Sequence, residues 1–259
     1  MMLKNSFNHK NQISNLINQK MKKSIQLAIL GVLFVTTVTH AQWKKIKGNG
    51  KIITEKRTTA GYDEITVSGF FDVALVSGKE GAITIQGEEN ILPYIKVEVK
   101  DNVLHIYTEK GVNISTKESL VLTVPFEQIS AVSLSGSGDV KSKDTIVATS
   151  LKAKLSGSGD LNLDVKATDF EANLSGSGDV VVTGNTENFI SKTSGSGDVD
   201  AADLISKKAN VSISGSGDMK VNCTENLFAR VSGSGDIEYK GNPQYRDTKV
   251  SGSGEISKI

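Results

Sequence analysis

The pentapeptide Ser-Gly-Ser-Gly-Asp occurs seven times in the second half of this chain, starting at Ser135, Ser156, Ser175, Ser194, Ser214, Ser232 and Ser251, the last copy ending in Glu255 instead of Asp. Successive copies are 21, 19, 19, 20, 18 and 19 residues apart. A unit this short cannot bury an apolar face by itself, so a near-constant period of this size predicts a solenoid whose coils pack against their neighbours. A period that drifts by a residue or two is what loops of variable length between aligned strands produce.

Residue parity describes each coil. Around the second copy, Leu151, Ala153, Leu155, Gly157, Gly159, Leu161, Leu163 and Val165 hold the odd positions, while Lys152, Lys154, Ser156, Ser158, Asp160, Asn162 and Asp164 hold the even ones. This is strand alternation. The residue after the pentapeptide is apolar in every copy (Val140, Leu161, Val180, Val199, Met219, Ile237 and Ile256), and the one before it is apolar in all but one, Thr193. These positions are expected to face inward. The glycines share their parity and are expected to point inward as well, narrowing the core or allowing a tight bend. Both serines and the Asp are then expected to face solvent.

Upstream, strand-like runs cover Glu64 to Val67, Asp72 to Val76, Ala82 to Gln86, Ile95 to Val99, Val103 to Thr108 and Leu120 to Val124, divided by turn signals such as Ser77-Gly78 and Asp101-Asn102. Ser68-Gly69-Phe70-Phe71-Asp72-Val73 reads as a degenerate pentapeptide followed by its apolar residue. Helical periodicity is absent after residue 41. The expected organisation is an extension and leader over 1–41, a short segment over 42–61, and one β-helix over 62–259. Its coils are expected to be irregular over 62–130 and regular over 131–259.

A leader, an irregular β-rich front half and a back half of repeated Gly-Ser-Gly-Asp followed by an apolar residue together resemble the bacterial head-GIN family, known as "putative autotransporter adhesin". The resemblance covers about Tyr62 to Ile259, and Gly111-Val112-Asn113 stands for the family's Gly-Ile-Asn with Val in place of Ile. It implies a right-handed parallel β-helix, in line with the all-β solenoid read from the period, and a role in cell adhesion.

Charge and cysteine use narrow the function classes. Lys22 and Lys23, the apolar run Ile25 to Val38 and Thr39-His40-Ala41 make a secretory signal with a cleavage site before Gln42. The apolar run is shorter than a bilayer span, which disfavours the competing reading of a membrane anchor. Met1 to Lys20 reads as an upstream extension, so the start is either Met1 or Met21. The first 41 residues hold five Lys and no acid, which leaves 25 basic against 29 acidic residues in the exported chain, a net −4. With only Arg57, Arg230 and Arg246 as arginines, no basic footprint for nucleic acid is present. Cys223 is the sole cysteine, so no intramolecular disulfide is available, and its parity with Val211, Ile213, Met219 and Val221 marks it as core.

Chemistry-bearing patterns are sparse. His105 is the one histidine after residue 41, on a strand, and the repeated serines have no histidine beside them to act as a base. No catalytic residue, cofactor or metal ligand is assigned. The candidate binding face is the repeated polar edge: Ser135, Ser137 and Asp139; Ser156, Ser158 and Asp160; Ser175, Ser177 and Asp179; Ser194, Ser196 and Asp198; Ser214, Ser216 and Asp218; Ser232, Ser234 and Asp236. Stacked in register, neighbouring carboxylates would lie about 4.8 Å apart and repel by roughly 0.9 kcal/mol at water's dielectric. Two roles remain open for that row: capping of the glycine turn by backbone N–H donors, or recognition of cations or of a repeating polymer. The expected function is therefore an exported, non-catalytic adhesion or ligand-display module, binding an unidentified surface ligand such as a glycan or envelope protein. Self-association of the coil ends is the alternative. A polysaccharide-cleaving enzyme is a third reading, which would require the scattered arginines to converge in a cleft.

Overall fold

Each pentapeptide-bearing strand pairs in parallel with the one a repeat earlier, with like residues opposite: Ser135 faces Ser156, then Ser175, Ser194, Ser214, Ser232 and Ser251 follow in one unbroken row. The computed structural model describes residues 44–259, and the expected leader and cleavage site lie outside the described residues. Residues Lys44–Ile259 form one compact unit, a parallel β-solenoid of about seven turns with coils of about 19 residues. The strands Leu161–Gly176, Val180–Gly195, Val199–Gly215 and Met219–Gly233 run 15 to 17 residues. That exceeds the usual length of a flat strand, because each of these wraps around most of a coil before a glycine corner interrupts it.

The repeats sort into ladders inside the stack. Leu151, Phe170, Phe189, Ala209 and Leu227 are register partners, and the Phe170 and Phe189 rings lie nearly parallel with centroids 5.7 Å apart. The residue after the pentapeptide is buried in six copies, from Val140 to Ile237, and half-buried at Ile256. The residue before it is likewise buried from Leu134 to Val231, Thr193 included. In the last coil it is Val250, which is 40% exposed because no further coil among the described residues covers it. Parity thus located the core.

The front half closes the other end of the solenoid, and its coils are not stacked in sequence order. Strands Glu64–Gly69 and Asp72–Ser77 make the first coil and lie beneath Ala131–Gly136 and Val140–Ser142. The next parallel strands in the sequence, Val103–Thr108 and Val121–Phe126, pair with the opposite edge of that first coil. The chain therefore builds one coil, drops beneath it, and returns above it to begin the regular repeats. Antiparallel strands Ile52–Thr58, Ala82–Glu88 and Ile95–Lys100 complete this cap. The Glu88 carboxylate, 1% exposed, fastens it by accepting main-chain N–H bonds from Gly50 (2.6 Å) and Lys117 (2.9 Å). A second, two-stranded sheet pairs Lys44–Lys47 with Val112–Ser115, and Gly111, at φ +78°, turns the chain into it.

Two polar residues break the apolar stripe in one coil. Ser191 and Thr193 are 0% and 3% exposed, and neither hydroxyl has a hydrogen-bond partner in the protein. A buried hydroxyl without a partner costs about 1–3 kcal/mol. Thr193→Val should therefore raise stability by roughly 1 kcal/mol, read as a higher urea midpoint at unchanged slope; a lower midpoint would show that the hydroxyl is satisfied. Met219 is fully buried between Val199 and Ile237. Met219→Asp should destabilise by several kcal/mol through an unpaired buried carboxylate, and an unchanged melting temperature would refute the register.

Candidate functional site

The repeated edge is built from the glycine corner outward. In each pentapeptide the first glycine has positive φ, from +127° at Gly195 to +149° at Gly215, a conformation closed to residues with a side chain. Both glycines also sit against the corner of the preceding coil. A Cβ on Gly157 would come within 2.1 Å of the Gly136 carbonyl oxygen, and one on Gly159 within 1.8 Å of that of Gly138. The expectation that the glycines point into the core is corrected here: the missing side chains lie along the stacking direction, where backbone meets backbone.

Close stacking brings three consecutive N–H groups of each corner over the coil below. Two find a main-chain acceptor, since Ser158 and Gly159 both donate to the Gly136 carbonyl, at 2.9 and 3.2 Å. For the third, the Asp side chain supplies the acceptor. Oδ1 of Asp139 accepts the N–H of Asp160 at 3.1 Å, and Asp160 does the same for Asp179, Asp179 for Asp198, Asp198 for Asp218, Asp218 for Asp236 and Asp236 for Glu255, at 2.7 to 3.0 Å. The carboxylate row is thus a capping device, as the turn chemistry of Asp allows, but it caps the next coil rather than its own turn.

The six Ser-x-Ser-x-Asp triplets lie together along the stack. Both serines and the acid of every copy are exposed and form three parallel rows along one edge of the stack. Beyond the Asp row, a shallow groove of about 330 Å³ is lined by Asp179, Asp198, Asp200, Asp218, Val181 and Lys220. Among the described residues no group of three or more carboxylate, His or Cys side chains is arranged to hold a metal ion.

The other sequence candidates stay apart. Arg57 donates to the carbonyls of Leu92 and Ile95 in the cap, Arg230 pairs with Asp247 at 2.6 Å, and Arg246 donates to the Tyr239 hydroxyl. They form no common cleft. Cys223 is fully buried, and burial pushes its thiol up. His105 lies on the outer face of the cap beside Tyr107, whose hydroxyl donates to Glu98 at 2.7 Å.

One member of the acid row lies outside the regular repeats. Asp72 of the degenerate copy occupies the position below Asp139, and the degenerate match at Ser68 to Val73 was the signal for it. Phe71, at the second-glycine position, is buried in the cap. Burial, with the Asp139 charge adding to it, holds the Asp72 carboxyl above its ordinary range, partly offset by a hydrogen bond from the Asp139 backbone. A raised pKa means the folded chain holds this proton more tightly than the unfolded one, so the destabilisation is full above the folded pKa and vanishes below the unfolded one. Asp72→Asn should therefore raise the melting temperature at neutral pH and leave it unchanged near about pH 3; a gain of equal size at both pH values would exclude the ionisation as its cause.

Comparison with known proteins places this architecture. At the level of fold, the structure is similar to that of a "putative adhesin" from Bacteroides fragilis (24% identity, TM-score 0.77) that covers 83% of this chain and 100% of its own. It is also similar to a "putative lipid binding protein" from Parabacteroides distasonis (24%, 0.66, covering 83% and 100%) and a "putative adhesin" from Parabacteroides merdae (23%, 0.62, covering 83% and 99%). No curated protein matches the sequence. The model of the family described as "putative auto-transporter adhesin, head GIN domain" matches residues 61–243, which take in most of the cap and nearly all the regular coils, and the chain belongs to that family.

Proposed function

We propose that the protein is an exported, non-catalytic adhesion module whose contact surface is the Ser-x-Ser-x-Asp edge. The observation that carries this reading is a difference among the residues of the pentapeptide. Stacking requires the glycines, and the unpaired N–H of the next coil requires the acid, but nothing in the corner requires serine. Even so, all fourteen of those positions hold serine, and all are exposed. Short hydroxyl side chains in rows spaced by about one strand separation give a flat, hydrogen-bonding surface that a repeating ligand can meet many times over, so that weak contacts add up. Membership of a family described as "putative auto-transporter adhesin" supports the reading.

A second reading has its own observation. The strand Tyr245–Gly252 has a hydrogen-bonded neighbour on one side among the described residues, and Tyr245 and Val250 are 52% and 40% exposed. End-to-end stacking of copies would cover that edge, with Lys249 and Lys258 as the charges that oppose it. Light scattering at rising concentration distinguishes a filament-forming protein from a monomeric display module.

The test of the adhesion reading uses a glycan and extracellular-matrix array. Asp179→Asn with Asp198→Asn keeps the capping acceptor and removes two charges, so the melting temperature should hold or rise slightly. Binding to the array ligand should weaken several-fold, and Ser177→Ala with Ser196→Ala should weaken it likewise. If both double variants bind as the parent does, the edge is not the contact surface.

A further inference from the structure

We infer that the sheet face leading into the pentapeptides binds an extended anionic polysaccharide whose charge falls on alternate sugars. The evidence is a row distinct from the acid edge. Two residues before each pentapeptide stand Ser133, Lys154, Asn173, Lys192, Ser212, Arg230 and Lys249, opposite one another in successive coils. From Lys154 to Arg230 cations recur at every second coil, about 10 Å apart given a strand spacing of about 4.8 Å, with a neutral hydrogen-bonding side chain between them, and Lys249 adds one more in the last coil. The first-serine row runs beside this one with a hydroxyl in every coil. Between Lys154 and Lys192 the face sinks into a groove of about 340 Å³, bordered by Asn173, Ser175, Ser194 and Ser212.

At the groove, the free charge of this face sits on the two lysines that border it. Lys154 and Lys192 are exposed and make no ion pair among the described residues. Of the acids on the same strands, Asp169 and Glu171 accept from the Asn188 and Asn173 amides at 2.8 Å, and Asp247 pairs with Arg230, whose charge it offsets. The row of pentapeptide carboxylates lies around the glycine corner, beyond both serine rows, so a polyanion is steered onto the sheet and away from the edge.

An extended pyranose chain advances by nearly one strand spacing per sugar. One sugar per coil then places a carboxylate at Lys154 and at Lys192 and a neutral sugar at Asn173 and at Ser212. A nucleic acid fits less well, because it carries one phosphate per nucleotide and calls for stacking aromatics, which the groove lacks.

This inference rests on the adhesion reading but uses a neighbouring surface, so the two can fail separately. The purified protein is titrated with fragments of hyaluronan (charge on alternate sugars), polygalacturonate (charge on every sugar), neutral chitin oligosaccharides and single-stranded DNA, at low and at physiological salt. Hyaluronan should bind best, and higher salt should weaken it. Lys154→Gln with Lys192→Gln should lower its affinity at least about tenfold, or about 1.4 kcal/mol, with an unchanged melting temperature. Lys141→Gln with Lys220→Gln, which removes two cations from another face, should leave it unchanged, and Asn173→Lys should shift preference toward polygalacturonate. The inference is overturned by absence of hyaluronan binding at low salt, by tighter binding of DNA or polygalacturonate to the parent, or by equal losses in the two lysine pairs. If hyaluronan fails while the array ligand of the adhesion test is still bound, this inference falls alone; if no array ligand is bound either, the adhesion reading falls with it.

Discussion

The approach of one glycine corner to the next governs the rest of the molecule. Coils can come within hydrogen-bonding distance at the corner only if neither glycine carries a Cβ, since either would be driven into a carbonyl oxygen about 2 Å away. From that approach follow the doubly accepting glycine carbonyl, the need for a side-chain acceptor for the third N–H, and the in-register ladders of the core. The Asp row is thus a consequence of stacking. Mutual repulsion along it is offset at each step by a hydrogen bond to a charged acceptor, which is stronger than one between neutral groups.

The same geometry separates structure from candidate function within five residues. Gly and Asp are accounted for by contacts inside the stack, whereas the serines, and Lys154 and Lys192 two residues before their pentapeptides, are not. Side chains that a fold does not need yet presents repeatedly are the natural place to look for recognition. In a solenoid such side chains form straight rows at a fixed spacing, which suits ligands with a matching period.

Much of this was legible in the sequence, because a solenoid repeats its local rules. The buried residue after six of the seven pentapeptides, the exposed triplets and the strand at Val103–Thr108 all follow from parity and turn signals. The threading of the cap was not legible. Pairing of Val103–Thr108 beneath Glu64–Gly69 joins segments about forty residues apart that share no motif, and it is decided by which face of the first coil is still open. The direction of the glycines was misread for a related reason: parity distinguishes inside from outside but says nothing about the axis along which coils approach. The carboxylate acceptor of the next coil's N–H lay between the two roles the sequence left open for Asp, because its donor is 18 to 21 residues away.

The out-of-order cap has an evolutionary consequence. The first coil is enclosed on both sides by segments of its own chain, so its neighbours cannot be changed without rebuilding the cap. Each regular coil meets identical corners above and below. A tandem duplication of one whole repeat between Ser156 and Ser232 would insert a coil that finds every acceptor already in place, and a deletion of one would close without a gap. Related genes should therefore differ in length by whole repeats within the regular region while keeping a cap of constant size.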